Sequence, residues 1–112
     1  MPFYETKKQI VVCARVHPGE SNSSYMMQGF IKYLLGNSLQ ARELRKRCVF
    51  NIIPMTNPDG VIVGNYRTNM AGNDLNRKYL NPDEKLHPTV VAIKRLVSQL
   101  TYPEADDEDA ED

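Results

Sequence analysis

The chain has 112 residues, of which 41% are hydrophobic and 25% charged, a composition that fits one small globular domain. No apolar run approaches the roughly 18 residues that a membrane span needs, and residues 1–8 lack the apolar core of a signal peptide. Cys13 and Cys48 fall in predicted strands. We expect them to be buried free thiols, which suits a reducing compartment such as the cytoplasm.

The net charge of zero is unevenly distributed along the chain. All 14 Lys and Arg residues lie within residues 1–101, whereas half of the 14 acidic residues crowd into residues 104–112. We therefore divide the chain into a basic domain over 1–101 and an acidic tail over 102–112, which we expect to be disordered because it has little apolar surface to bury. A basic domain can attract acidic partners at long range. The simpler alternative is that its basic side chains only solvate helix faces.

Two short apolar runs with β-branched residues predict strands, one within residues 7–16 and one over 49–53. Continuous apolar runs of this kind are typical of strands buried on both faces. The segment between them predicts two helices, and a strand–helix–helix–strand order implies parallel pairing. We predict an α/β fold, with a partial mixed or parallel sheet flanked by helices.

Helical spacing marks three segments. The first helix follows several candidate N-cap serines, the second is capped by Ser38, and the third has Pro88 in its first turn. The apolar faces of the first and third consist of Met27, Phe30, Ile31 and Leu34, and of Val90, Ile93, Val97 and Leu100. The β-branched residues 61–63 predict a brief extended segment. Residues 64–81 show little periodicity and many Asn, Gly and Arg residues, which predicts a long ordered loop.

His17 and Glu20 stand three positions apart where the first strand gives way to a helix. Imidazole nitrogen and carboxylate oxygen are ligands of catalytic zinc sites, and ligands of open α/β sheets bind at the carboxyl ends of strands. A lone His-x-x-Glu is a weak signal, because a strand-end histidine with ordinary hydrogen bonds gives the same pattern.

Three further motifs follow in order: Asn-Pro-Asp-Gly at 57–60, Gly-Asn-Tyr-Arg at 64–67 and Asp-Leu-Asn-Arg at 74–77. Together with His-Pro-Gly-Glu at 17–20 they resemble the zinc metallocarboxypeptidases of the M14 family. The amino-acid sequences of residues 14–24 and 57–67 are most similar to the cytosolic carboxypeptidase branch. The resemblance covers residues 9–100, the N-terminal part of such a catalytic domain, and implies an incomplete zinc-carboxypeptidase-like α/β/α fold.

The resemblance implies roles for five residues. His17 and Glu20 would bind Zn²⁺, and Asn76 and Arg77 would hold the terminal carboxylate of the substrate, for which a guanidinium is well suited. Arg67 would stabilise charge developing on the scissile carbonyl. The alternatives are a solvated surface arginine at position 67 and a turn-stabilising pair at 76–77.

Residues near this set receive smaller roles. Arg15 and Asp74 are candidates for neighbouring support only, and residues 57–60 are expected to shape the loop. His87 is the one histidine beyond Arg77, and we interpret it as a helix cap or surface residue rather than a third zinc ligand.

The resemblance also implies a reaction and a substrate class. Such enzymes release C-terminal residues, and the cytosolic branch trims glutamates from acidic tails such as those of tubulin. We expect acidic protein tails as partners, no nucleic acid or membrane partner, and a cytoplasmic location. Because the third ligand and the general-base glutamate are not found in the sequence, we expect the 112-residue chain to be a truncated form that is inactive alone.

Three alternatives remain at this stage. The chain could be a non-catalytic module that binds acidic tails through Asn76 and Arg77, or an unstable relic without function. The acidic tail could also fold back onto the basic domain and compete with substrate, although plain solvated disorder is the simpler explanation and is favoured.

Overall fold

The computed structural model describes residues 7–102, so the predicted tail over 102–112 lies outside the described residues apart from Tyr102. The elements in chain order are β1 (Lys8–Cys13), α1 (Ser21–Leu34), α2 (Leu39–Arg47), β2 (Cys48–Ile53), α3 (Pro58–Val63), a 3₁₀ helix (Leu75–Arg77) and α4 (Pro88–Thr101). None of the helices within residues 7–102 has the length and apolar character needed to cross a bilayer.

The two strands pair in parallel, with Lys8 opposite Cys48 and Cys13 opposite Ile53. This confirms the α/β fold and the crossover predicted from the strand–helix–helix–strand order. Both strands therefore end at the same edge of the sheet. The pairing continues past that edge, since the Ala14 N–H donates to the Ile53 carbonyl at 2.9 Å and the Thr56 N–H donates to the Ala14 carbonyl at 2.9 Å.

Helix α1 buries the apolar face that its spacing predicts. Met27 and Leu34 are buried, and the ring of Phe30 meets that of Phe50 on β2 edge to face, with centroids 6.0 Å apart. The predicted serine cap is wrong, because Glu20 occupies the N-cap position and makes no side-chain cap. The hydroxyl groups of Ser23 and Ser24 instead accept hydrogen bonds from Arg15, so neither caps the helix.

Helix α2 begins as the sequence predicts, with the Ser38 hydroxyl accepting from the Ala41 N–H at 3.1 Å. Its last turn is fastened to the end of α1 by Arg45, whose guanidinium donates to the carbonyls of Leu34 and Gly36. The short crossover between the strands is thereby held against the sheet.

The extended piece predicted over residues 61–63 is wrong, because these residues complete α3. The Asn57 side chain accepts from the Gly60 N–H at 3.0 Å, and Pro58 supplies a helical φ in the first turn. Gly64, at φ 87°, then ends the helix in the left-handed conformation. The capping signals outweigh the strand preference of three β-branched residues.

The prediction of buried thiols is also wrong in part. Cys13 and Cys48 are both free, but Cys13 is exposed and Cys48 is half-buried. The described part of the sheet has two strands, each with an open edge, and no residue of either strand is fully buried. In α4 Val90 and Ile93 are buried as predicted, but Val97 is 45% exposed, so the predicted apolar face is buried only in part.

Candidate metal and substrate site

The chain leaves β1 through an unusual backbone conformation at Arg15. Its φ of 51° is the one positive φ at a non-glycine residue within 7–102. The Arg15 N–H donates to the Ser23 hydroxyl at 2.8 Å, and the Arg15 carbonyl accepts from the Asn57 N–H at 3.2 Å. Because partners from α1 and from the segment after β2 hold this residue, the turn that follows is fixed relative to both.

The turn over residues 17–20 packs tightly against the loop that follows α3. The Gly19 N–H donates to the Tyr66 carbonyl at 2.7 Å, and a Cβ at Gly19 would lie 2.8 Å from that oxygen. A Cβ at Gly60 would lie 2.6 Å from Cγ of Pro18 and 2.7 Å from the Thr68 carbonyl oxygen. Glycine is required at both contacts, and the motif over 57–60 has the loop-shaping role that the sequence predicts.

His17 lies at this edge of the sheet with 13% of its side chain exposed and both ring nitrogens facing carboxylates. Its Nδ1 is 3.3 Å from Oε2 of Glu20, and its Nε2 is 3.0 Å from Oδ1 of Asp74. The two predicted metal-binding side chains are therefore brought together, on the same side of the turn. The 51% exposure of the Glu20 side chain leaves the space beside them open.

The geometry of this pair fits a shared metal ion. Two ligand atoms about 2.0–2.1 Å from one tetrahedral zinc lie roughly 3.3 Å apart. The observed separation of 3.3 Å between Nδ1 of His17 and Oε2 of Glu20 has this value. With the proton on Nε2 directed to Asp74, Nδ1 presents its lone pair, which is the arrangement common in metal-binding histidines.

Asp74 joins three parts of the site. Its Oδ2 accepts from Nε of Arg67 at 2.8 Å, and its Oδ1 accepts from the Asn76 N–H at 3.0 Å and faces His17. Desolvation opposes ionisation, but the hydrogen bonds from Arg67, His17 and Asn76 prevail and lower the pKa of Asp74 to about 2. Asp74 is therefore a stable carboxylate at neutral pH.

These contacts agree with the neighbouring support that the sequence predicts for Asp74, but the sequence did not reveal which groups Asp74 supports. The signal was present, since a carboxylate is the usual partner of the second nitrogen of a metal-binding histidine. The separation of 57 positions between Asp74 and His17 hides this partnership in the sequence.

Arg67 is 52% exposed but tied to Asp74, so it is not a freely solvated side chain. Asn76 and Arg77 follow on the 3₁₀ helix that Asp74 starts, and both are exposed. Within residues 7–102 neither side chain makes a hydrogen bond or ion pair with another residue. We refer to His17, Glu20 and Asp74 as the ligand half of the site, and to Asn76 and Arg77 as the clamp half.

His87 is placed away from the ligand half. It stands at the N-cap position of α4, as predicted, but it is only 5% exposed, so its interpretation as a surface residue is wrong. Its Nδ1 accepts from the Asp83 N–H at 3.0 Å, and its Nε2 lies 2.8 Å from Oδ1 of Asn73. In the part of the chain from 7 to 102, no set of three His, Cys, Asp or Glu side chains is arranged to hold a metal ion.

The structure thus combines a parallel sheet, an imidazole–carboxylate pair at its carboxyl edge, and an Asn-Arg pair in the loop that Asp74 connects to His17. The family profile described as "Zinc carboxypeptidase" matches residues 3–108. The chain belongs to the zinc carboxypeptidase family.

Curated relatives include cytosolic carboxypeptidase 3 of Bos taurus, 50% identical over 94 residues that make up 84% of this chain and 9% of that protein. Cytosolic carboxypeptidase 6 of Caenorhabditis elegans is 50% identical over 97 residues, 87% of this chain and 21% of that protein. The chain thus spans at most about a fifth of the length of these two relatives.

Solved structures of similar fold include the metallo-carboxypeptidase of Burkholderia cenocepacia, with a TM-score of 0.79 and 39% sequence identity over 87% of this chain and 27% of that chain. The metallo-carboxypeptidase of Pseudomonas aeruginosa, in complex with (2-guanidinoethylmercapto)succinic acid, gives a TM-score of 0.77 and 31% identity over 88% of this chain and 26% of that chain. These likenesses confirm the carboxypeptidase fold inferred from the four motifs.

Proposed function

We propose that the protein supplies two metal ligands and the carboxylate clamp of a zinc carboxypeptidase that acts on acidic protein tails. The main support for this proposal is the 3.3 Å separation of His17 Nδ1 and Glu20 Oε2, with the other ring nitrogen of His17 facing Asp74. When bound, zinc polarises a water molecule and the substrate carbonyl. Family membership supports Zn²⁺ as the cofactor.

In this proposal the residues of the chain bind and orient the substrate. Asn76 and Arg77, whose side chains have no partner among residues 7–102, receive the terminal carboxylate through paired hydrogen bonds. Arg67 stabilises negative charge on the scissile carbonyl, while its ion pair with Asp74 keeps it beside His17. Asp74 fixes the imidazole so that Nδ1 faces the metal position.

The substrate class follows from charge and from relatives. A domain over 1–101 that carries every Lys and Arg of the chain favours acidic peptides, and the named relatives are cytosolic carboxypeptidases. We therefore propose C-terminal glutamates of acidic tails, such as those of tubulin, as the residues released, and the cytosol as the location.

The proposal is tested by titrating the purified chain with Zn²⁺ by calorimetry. We expect weak binding to the wild-type chain, no binding to His17→Ala, and unchanged binding to Asp59→Asn, a control on the exposed face of α3. Equal zinc affinity in wild-type and His17→Ala would contradict the proposed metal site.

We further propose that the 112 residues alone do not hydrolyse peptides. Among residues 7–102 only two ligands face one position, and a two-ligand site lacks both the third ligand and a base for the water. The purified chain with Zn²⁺ should therefore leave a polyglutamate peptide intact. Hydrolysis that disappears in His17→Ala would overturn this inference.

A binding module is the second candidate, favoured by the unpartnered side chains of Asn76 and Arg77. Such a module would bind an acidic peptide without metal. Peptide affinity that survives a chelator and is lost in Arg77→Ala would support it over the peptidase, whereas affinity that requires metal would not.

A further inference from the structure

A buried polar network joins the start of α4 to the loop that carries the site. Asn69 is 8% exposed, and its Oδ1 accepts from the N–H groups of Ala71 and Asn73 at 3.1 and 3.0 Å. Its Nδ2 donates to the Leu86 carbonyl at 2.7 Å. The loop is thus folded around the Asn69 side chain and bonded to the segment before α4.

His87 completes this network from the α4 side. Because Nδ1 accepts from the Asp83 N–H, the ring proton must be on Nε2, which therefore donates to Oδ1 of Asn73 at 2.8 Å. The ring is buried, so neither bond has water as a ready replacement, and losing one leaves a polar group unsatisfied. The imidazole is held in one tautomer and one orientation.

The position of this bond connects it to the candidate site. Asn73 immediately precedes Asp74, which contacts His17 and Arg67 and starts the 3₁₀ helix bearing the clamp half. The Arg77 N–H donates to the Asp74 carbonyl at 3.0 Å, so the backbone of the clamp half is bonded to the residue that directly follows Asn73. The ring nitrogens of His87 bond to Asp83 and Asn73 and to none of the proposed metal or substrate groups.

We infer that His87 is a positioning residue, which sets the clamp half through its Nε2 hydrogen bond to Asn73. The functional part of this inference rests on the proposed carboxylate clamp. The geometric part, that this bond adds to the order of residues 73–77 beside the bonds that Asn69 and Asp74 make, is independent of any ligand.

Two substitutions at one position separate this role from simple support of α4. In His87→Asn the amide reaches the place of Nδ1 and can accept from Asp83, but nothing reaches Asn73. In His87→Gln the amide reaches the place of Nε2 and can donate to Asn73, but the Asp83 N–H loses its acceptor. Asn73→Ala removes the same bond from the loop side without changing α4, and Ser98→Ala, on an exposed part of α4, is the control.

The first measurement is amide hydrogen exchange at Asn76 and Arg77 in the purified chain without ligand. Because one hydrogen bond contributes about 0.5–1.5 kcal/mol, we expect exchange to rise about threefold to tenfold in His87→Asn and Asn73→Ala. His87→Gln and Ser98→Ala should stay near wild type at these amides, although His87→Gln should melt at a lower temperature. Equal loosening in the Asn and Gln variants would show mere structural support and overturn the inference.

The second measurement is the affinity for a polyglutamate peptide. We expect His87→Asn to weaken binding by a factor similar to its rise in exchange, with recovery in His87→Gln. If wild type and Arg77→Ala bind the peptide equally, the proposed clamp fails, while the exchange result still decides the role of His87. If the peptide binds through Arg77 but His87→Asn leaves the affinity unchanged, the inference fails and the clamp stands.

Discussion

The two halves of the candidate site differ in how they are held. In the ligand half, both ring nitrogens of His17 face carboxylates, and Asp74 is bonded to three different groups. In the clamp half, the backbone is fixed by the 3₁₀ helix, but the side chains of Asn76 and Arg77 have no partner among residues 7–102. In the ligand half the side chains are held by hydrogen bonds, whereas in the clamp half only the backbone is held.

This difference fits the two kinds of ligand. A metal site requires donors at set distances before the ion arrives, so its side chains are oriented by neighbours. A carboxylate clamp gains most from hydrogen-bond donors that are not already satisfied, because every internal partner would have to be displaced by substrate. The predictions below test whether fixed and free halves respond differently to mutation.

The largest effect is expected where the ligand turn meets α3. In Gly60→Ala the new methyl group would meet Pro18 and the Thr68 carbonyl at under 3 Å, so we expect a loss of about 1–3 kcal/mol from backbone displacement. Gly29→Ala is the matched control, because a Cβ at this α1 position meets nothing within 4 Å and should add about 0.5–1 kcal/mol. Urea unfolding of the two variants measures the contrast, and equal stabilities would contradict the packing described.

The next effect concerns the residue that orients the ligand half. Asp74→Ala removes the partners of His17 and Arg67, and we expect zinc affinity to fall about 10- to 100-fold. The measurement is calorimetric titration with Zn²⁺. Glu84→Ala, which removes an exposed ion pair with Arg95, is a carboxylate control that should bind zinc as wild type does. Unchanged affinity in Asp74→Ala would place the zinc elsewhere.

A smaller effect separates the two arginines. Arg67 is paired with Asp74, so Arg67→Ala should lower the free energy of unfolding by about 0.2–1 kcal/mol. The side chain of Arg77 has no partner within residues 7–102, and Arg77→Ala should leave stability within about 0.5 kcal/mol of wild type. Thermal melts of both variants, with peptide affinity measured beside them, show whether Arg77 serves binding rather than folding.

The smallest effect is the pH dependence contributed by Asp83. The N–H groups of Leu86 and Lys85 donate to its carboxylate and lower its pKa from 3.8. The ionised form is therefore favoured in the folded state, so its contribution to stability is full above pH 3.8 and declines as the pH falls below that value. Asp83→Asn should make the stability curve flatter in this acidic range, as followed by urea unfolding at several pH values. A curve parallel to that of wild type would contradict the assignment.

Local patterns in the sequence were sufficient for the parallel strands, for the apolar face of α1 and for the first two residues of the apolar face of α4, Val90 and Ile93. The same is true of the meeting of His17 and Glu20, which lie three positions apart on one turn. Properties that depend on contacts between residues far apart in the chain could not be predicted from the sequence. The exposure of Cys13 depends on what covers the sheet, and the burial of His87 depends on Asn69 and Asn73 folding back towards α4.

The error over residues 61–63 has a different cause. There the side chains favour a strand, but one capping asparagine and one proline at the start decide the conformation of the whole segment. The supporting role of Asp74 was predicted, but its partners His17 and Arg67 could not be identified from the sequence because they lie 57 and 7 positions away.

The left-handed backbone at Arg15 bears on the order of events during folding. This conformation is unfavourable for a residue with a side chain, and it is held by a hydroxyl from α1 and by an amide that follows β2. A nascent chain that ends before Asn57 lacks one of these anchors, so we expect the turn over residues 17–20 to reach its final conformation only after the second strand has docked. A synthetic peptide containing only residues 14–24 should accordingly fail to reproduce it.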